Sequence, residues 1–408
     1  MIKKLLAAIG ALLIINLAQA AAFDGPFVQL GVGMGTKQQR MEPGAMKIDL
    51  GNESAVGQLL AGYSHRFDNS NFNLAGDIYY NIGNSHSGML QDGVLNSKLK
   101  NTYGLAIEPG YYLTEETLGY LKLGVQRGKT ELYDTQNFWN GSSSANGFVY
   151  GAGIKQLVAS NIYAGIEFTH TNYGNKNFGE GAFGLTSQQS TQTLGLVTAG
   201  YLFNKNNPDY VSSHEGGAFD GPYLQIGLGC AINSNVYKDT DINEWDFSKD
   251  RAAGELLAGY SKSFGAFNLA ANIHYNLGSV NSGNYIVDGV QTWKTKLKNV
   301  WGMTLEPGYY LTNTSLAFLK LGWERADTSY TDVGIYSNVP YSNAGSRGTD
   351  GISYGFGLKQ LMTGHIYVGV EVTRSEFSKK TFDEGTLFLP FTLKPTQTLG
   401  LLTIGYQF

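Results

Sequence analysis

Eight charged residues recur in a fixed order: Glu108, Lys122, Lys155 and Glu167 in the first half of the chain, and Glu306, Lys320, Lys359 and Glu371 in the second. Each sits in a stretch that is otherwise apolar, small or aromatic. Carboxylates and ammonium groups placed this way can neutralise one another. In a low-dielectric interior they must, because a buried charge stripped of its partner costs roughly 3–5 kcal/mol. We expect Glu108/Lys122 and Lys155/Glu167 to be neighbouring pairs that plug an interior, with the charges cancelling within each set. The competing reading is that they line a conducting or gated path. Gln29, Gln58 and Asp77, and in the second half Gln225, Glu255 and Asn272, share the inward phase of these charges.

Other chemistry has less support. The six histidines are His65, His86, His170, His214, His274 and His365. In the internal alignment His65 faces Lys262, His170 faces Arg374 and His274 faces Tyr79, so none is retained between the halves. A general base needs a positioned partner within hydrogen-bond reach, and no such set recurs. We expect no catalytic residue, no cofactor and no metal site. Asp239, Asp241, Glu244, Asp246 and Asp250 form an acidic stretch that lacks the Gly and terminal Glu of a calcium loop. The single cysteine, Cys230, excludes an intramolecular disulfide. A net charge of −4 gives no footprint for nucleic acid.

The elements that must hold these residues are written twice. "AFDGPFVQLGVG" (22–33) returns as "AFDGPYLQIGLG" (218–229), "IEPGYYLT" (107–114) as "LEPGYYLT" (305–312), and "TQTLGLVTAGYLF" (191–203) as "TQTLGLLTIGYQF" (396–408). Residues 1–20 have a basic start, an apolar run and an Ala18-Gln19-Ala20 cleavage site, the pattern of a secretory signal peptide. The expected organisation is therefore signal peptide 1–20, first repeat 21–203, linker 204–217 and second repeat 218–408.

Within a repeat the period is two. In residues 99–113, Leu99, Tyr103, Leu105, Ile107, Pro109, Tyr111 and Leu113 share one face, while Lys100, Thr102, Gly104, Ala106, Glu108 and Gly110 share the other. Alternation of apolar and polar or small faces suits a transmembrane barrel, lipid outside and a polar interior. Eight strands are expected in the first repeat, near 27–35, 56–67, 72–81, 99–113, 118–129, 148–157, 162–173 and 191–203. Tight turns at 68–71, 114–117 and 158–161 alternate with long polar loops at 36–55, 82–98, 130–147 and 174–190. The second repeat follows the same scheme with a longer third loop, 326–351. Tyr63, Phe67, Phe72, Tyr80, Tyr111, Tyr201 and Phe203, with Tyr260, Phe264, Phe267, Tyr309, Tyr406 and Phe408, mark strand ends as interfacial girdles.

This architecture, with the closing "LLTIGYQF", resembles two tandem copies of the small outer-membrane β-barrel domain of OmpA, OmpX and opacity-type surface proteins. The fold class expected is all-β: a transmembrane antiparallel up-and-down barrel, as two tandem eight-stranded barrels or, alternatively, one of sixteen strands. Eight strands enclose an interior that side chains can fill, whereas sixteen leave an aqueous channel. The resemblance implies a bacterial outer-membrane location with loops extracellular and termini periplasmic. It implies Tyr406 and Phe408 as the signal read by the outer-membrane insertion machinery. Because the sequence ends at Phe408, it implies no peptidoglycan-binding role. The function expected is a non-enzymatic surface protein presenting loops for adhesion, surface interaction or envelope integrity. The alternative is a porin-like channel for small solutes. The expected partners are outer-membrane lipid and lipopolysaccharide, the latter reached by "KLK" at 98–100 and 296–298, and an extracellular ligand of the loops.

Overall fold

The computed structural model describes residues 22–43, 46–68, 70–83, 85–90, 95–134, 140–181, 184–203, 216–239, 244–287, 291–336, 338–382 and 390–408. The expected signal peptide and residues 204–215 of the expected linker lie outside them. The strands of the first half are β1 (Gly25–Pro43), β2 (Met46–Arg66), β3 (Phe72–Ile82), β4 (Ser85–Leu90), β5 (Leu95–Thr114), β6 (Thr117–Asp134), β7 (Asn140–Ala159), β8 (Ile162–Tyr173), β9 (Lys176–Gly181) and β10 (Gly184–Leu202). Those of the second half are β11 (Gly221–Asp239), β12 (Glu244–Phe264), β13 (Phe267–Leu277), β14 (Val280–Val287), β15 (Gln291–Thr312), β16 (Ser315–Tyr336), β17 (Val339–Thr363), β18 (Ile366–Phe377), β19 (Lys380–Phe382) and β20 (Phe391–Gln407).

All pairings are antiparallel. The first ladder runs β1–β2–β3–β5–β6–β7–β8–β10, and β10 pairs back onto β1 from Phe27–Leu202 to Pro43–Thr186. The second runs β11–β12–β13–β15–β16–β17–β18–β20, and β20 pairs back onto β11 from Tyr223–Gln407 to Asp239–Phe391. β4 continues β3 along the same edge of β5, and β9 continues β8 along β10; β14 and β19 do the same in the second half. Leu50–Phe247 and the pairing of β2 with β14 join the two ladders into a single sheet.

The two-residue period explains the walls. Along β3, Phe72, Leu74, Tyr80 and Ile82 are exposed outside, while Asn73, Asp77 and Asn81 are buried inside. Such outward apolar rows satisfy lipid without exposing backbone groups, since each of the eight strands named in a ladder is paired on both sides. At the short-turn end the outward rings meet edge-on: Phe72 with Tyr111 at 5.4 Å, Tyr201 with Phe203 at 5.1 Å, Phe267 with Tyr309 at 5.4 Å and Tyr406 with Phe408 at 5.0 Å. An apolar ring with a polar tip suits a membrane interface.

Two expectations need correction. The long polar segments are mostly strand: β1 continues to Pro43, β2 begins at Met46, and β16 and β17 pair without a break up to Tyr336–Val339. Polar residues on both faces are no obstacle to a ladder whose first pairs are already fixed by the wall below. Second, Leu99 does not share a face with Tyr103. A bulge between Lys100 and Tyr103 reverses the phase, so Leu99 is buried with Ala145 and Tyr173 while Tyr103 faces out. One extra residue in a ladder is enough to swap faces. The same bulge recurs between Lys298 and Trp301, where Leu297 turns inward.

Candidate functional site

The predicted charges converge inside each ladder. In the first half, β5 brings Glu108, β6 Lys122, β7 Lys155 and β8 Glu167 to one level, all 3 % exposed or less. Lys122 Nζ lies 3.3 Å from Glu108, 3.1 Å from Glu167 and 3.7 Å from Asp77. Lys155 Nζ donates to Glu108 at 2.5 Å. In the second half, Lys320 lies 3.3 Å from Glu255 and 3.2 Å from Glu371, and Lys359 lies 2.8 Å from Glu306.

Of the two expected pairs, Glu108/Lys122 is present, while Lys155 meets Glu108 rather than Glu167, and Glu167 meets Lys122. Besides the contact of Lys122 with Glu108 on the neighbouring strand, each lysine reaches past one strand: Lys122 of β6 to Glu167 of β8, and Lys155 of β7 to Glu108 of β5. The charges also do not cancel. Each set holds a third carboxylate, but on different strands: Asp77 of β3 in one half, where its counterpart is Asn272, and Glu255 of β12 in the other, where its counterpart is Gln58. The acid has moved one strand while the count has stayed the same.

Aromatic rings complete the packing. Lys155 lies over Tyr120 at 4.4 Å, Phe27 at 4.7 Å and Tyr163 at 5.8 Å. Lys359 lies over Phe318 at 4.4 Å, Tyr223 at 4.8 Å and Tyr367 at 5.8 Å. These equivalent cages compensate part of the ammonium's lost hydration. Tyr163 and Tyr367 lie flat against Gly200 and Gly405 of the neighbouring strands, where a Cβ would collide with the ring.

The repeated "AFDGP" turns out to be a stopper. Phe23 packs at the short-turn end of the first ladder against Tyr112 and Tyr163, at 6.3 and 5.7 Å. Phe219 does the same against Tyr310 and Tyr367, at 6.1 and 5.7 Å. The backbone N–H groups of Gly217 and Phe219 donate to the Tyr310 hydroxyl at 3.2 and 3.1 Å. The sequence showed this motif only as a repeat. Its signal as a stopper was an aromatic immediately before the first strand of each copy. Towards the hairpin end of the second ladder Tyr237, Trp293, Tyr330, Phe382 and Phe391 pack together, with ring centres 5.0–5.4 Å apart along Tyr237–Trp293–Tyr330–Phe391. His274 and Glu324, both buried, lie 3.3 Å apart.

Among the described residues no group of three or more His, Cys, Asp or Glu is placed to hold a metal ion. Asp241 and His214 lie outside the described residues. Lys100 of the first "KLK" pairs with Glu131 at 2.5 Å. On a short turn, Arg66 donates to Glu115 at 2.5 and 3.1 Å and holds that carboxyl below its ordinary range.

Residues 7–190 match the family model described as the outer membrane protein beta-barrel domain. No curated protein matches the chain. Among solved structures, the chain is similar to Ail, the attachment invasion locus protein of Yersinia pestis, at 16 % identity and a TM-score of 0.25, covering 42 % of this chain and 97 % of that one. It is similar to the Pseudomonas putida toluene transporter TodX at 11 % identity and a TM-score of 0.28, covering 95 % and 90 %. It is similar to Neisserial surface protein A at 11 % identity and a TM-score of 0.24, covering 46 % and 98 %.

Proposed function

We propose, from the match of residues 7–190 to the outer membrane protein beta-barrel domain, that the whole protein is a non-enzymatic surface protein of two closed, eight-stranded barrels. The barrels act as anchors, and the long hairpins on the far side from the short turns carry the function: adhesion, surface interaction or envelope integrity. With the short turns periplasmic, those hairpins stand outside the cell. Tyr406 on the outward face of β20 and Phe408 just beyond that strand, both exposed, serve as the aromatic motif read by the insertion machinery.

The observation that carries this reading is the filling of both lumens. Each has a buried cluster of three carboxylates and two lysines above an aromatic stopper. A diffusion channel needs a continuous wet path through its interior. Two further features support two barrels: each ladder returns to its own first strand, and an eight-stranded barrel is just wide enough for side chains to fill.

The test is single-channel recording of the refolded mature protein in a planar bilayer, beside Glu108→Gln and Glu306→Gln. We expect no large stable openings in the wild type, and at most brief small events in a variant. Large stable openings in the wild type would overturn the closed-barrel reading in favour of a porin-like channel.

A further inference from the structure

One outward face of each ladder is not available to lipid. Ile107 and Ile166 both point outward, yet Ile107 is 52 % exposed and Ile166 only 5 %. Ile166 packs with Ile154 against Leu358 and Val370 of the other half, with Leu113 and Leu311 alongside. By internal alignment Ile154 corresponds to Leu358, Ile166 to Val370 and Leu113 to Leu311, so equivalent residues face each other.

The same exchange holds along the whole seam. Val372 of β18 fills the space beside Gly195 of β10, where a Cβ would lie 2.7 Å from its methyl carbon. Phe168 of β8 fills the space beside Gly400 of β20, where a Cβ would overlap its ring. These are one socket and its symmetry mate. Towards the hairpins, His170 of β8 meets Asp250 of β12 at 3.3 Å, and Arg374 of β18 meets Glu53 of β2. His170 corresponds to Arg374 and Asp250 to Glu53, so this too is a reciprocal pair. At the short-turn end, the hydroxyls of Thr117 and Ser315 lie between the side-chain oxygens of Gln156 and Gln360. Thr117 is 2.5 Å from Gln156 and 2.8 Å from Gln360, and Ser315 is 2.6 Å from Gln156. All four of these residues are fully buried. Leu50 and its counterpart Phe247 pair with each other.

Contacts in which residue i of one unit meets j of the other, and j meets i, define an isologous, twofold interface. We propose that the two halves form a membrane-embedded dimer within one chain, held by this seam and not by the segment that joins them. The proposal rests on the reading of two closed barrels. Glycine sockets suit the setting: between units in lipid there is little hydrophobic drive, so close packing of small against large residues carries association. The acid–base pairs and the Thr/Ser–Gln cluster fix the vertical register. Each half contains both members of every contact, so the partner the surface fits is another copy of the same domain.

The experiment uses the full chain with a protease site placed within residues 204–215 and an affinity tag ahead of residue 22. After refolding in detergent and cleavage, the untagged second half is expected to remain bound to the tagged first half. In Gly195→Trp/Gly400→Trp, retention is expected to fall about tenfold or more, because two rings overpack the seam. Heat-dependent gel migration of each half checks that both still fold. Separation of the wild-type halves on cleavage, or undiminished retention in the folded double variant, would overturn the proposal. If the tryptophan variant fails to fold, Leu50→Cys/Phe247→Cys in a Cys230→Ala background decides. Oxidation should link the cleaved halves, and failure to cross-link would count against the seam. Bilayer recordings on the same samples separate the two readings: silent halves that drift apart reject the seam alone, and large openings reject the closed barrels.

Discussion

Lys122→Met is expected to lower the stability of the first half by about 3–5 kcal/mol, the cost of leaving buried carboxylates without their counter-charge. Lys122 Nζ is within 3.7 Å of Asp77, Glu108 and Glu167, and the side chain is 1 % exposed. Methionine keeps the volume and removes only the charge, so the loss is electrostatic. Glu108 retains Lys155, and Glu167 retains the Tyr120 hydroxyl, which donates at 2.9 Å. Asp77 has no such substitute, because both of its carboxylate oxygens are buried without a hydrogen-bond partner among the described residues. Adding Asp77→Asn and Glu167→Gln to Lys122→Met should therefore restore most of the loss; asparagine already occupies the matching position, Asn272. Urea unfolding, followed by heat-dependent gel migration, measures the effect. Four of the five tryptophans, Trp245, Trp293, Trp301 and Trp323, belong to the second half. Fluorescence thus reports mainly on that half, and its midpoint serves as the internal control. An unchanged migration midpoint would mean that water reaches the cluster.

Phe23→Ala and Phe219→Ala form the second large expectation, about 3–5 kcal/mol each, typical of a buried Phe truncated to Ala with a cavity left behind. Both rings are 2 % exposed and stand beneath a lysine–aromatic cage. The cavity cannot collapse, because the wall around it is a closed ladder. Each ring anchors a strap held by two hydrogen bonds, to the Tyr310 hydroxyl from the backbone N–H groups of Gly217 and Phe219, and from Tyr112 and Asn73 to the carbonyls of Ala22 and Phe23, so the two losses should be of similar size. Comparing the two unfolding midpoints checks both the size and the similarity. A Phe219→Ala variant as stable as wild type would show that the stopper is ornamental to the fold.

The inward charges were legible because alternation assigns a face to every residue and only one face can hold a lysine beside a glutamate. Lys122, Lys155 and their counterparts all fall where the period puts them. Of their partners, Glu108 beside Lys122 on the neighbouring strand was legible; those reached past a strand were not, since period two gives a face but no register across an interior. Leu99 failed for a local reason: a bulge leaves no mark in composition. The long polar segments failed for a general one, because Ser, Asn and Gly favour loops only where nothing else supplies a ladder. The seam was hidden in plain view. Ile154, Ile166 and Phe168 carry the pattern that lipid demands, and a protein partner of the same polarity demands it too. The one clue was the alignment of His170 with Arg374. As histidine it is not retained, but as a basic group on an outward face it is, opposite Glu53 and Asp250, which are also retained as acids.

The hairpin of β16 and β17 has a consequence in entropy. From Ser315–Gln360 to Tyr336–Val339 its register is unbroken. Above Arg325 some eleven residues, at roughly 3.3 Å each, make an arm of about 35 Å. A coil of that length would sample many conformations, each costing about 1–2 kcal/mol per residue to freeze upon capture of a ligand. A paired ribbon has lost that freedom during folding. Whatever meets its tip meets a surface already in place, and the energy of each contact goes into holding the ligand rather than into stilling the arm.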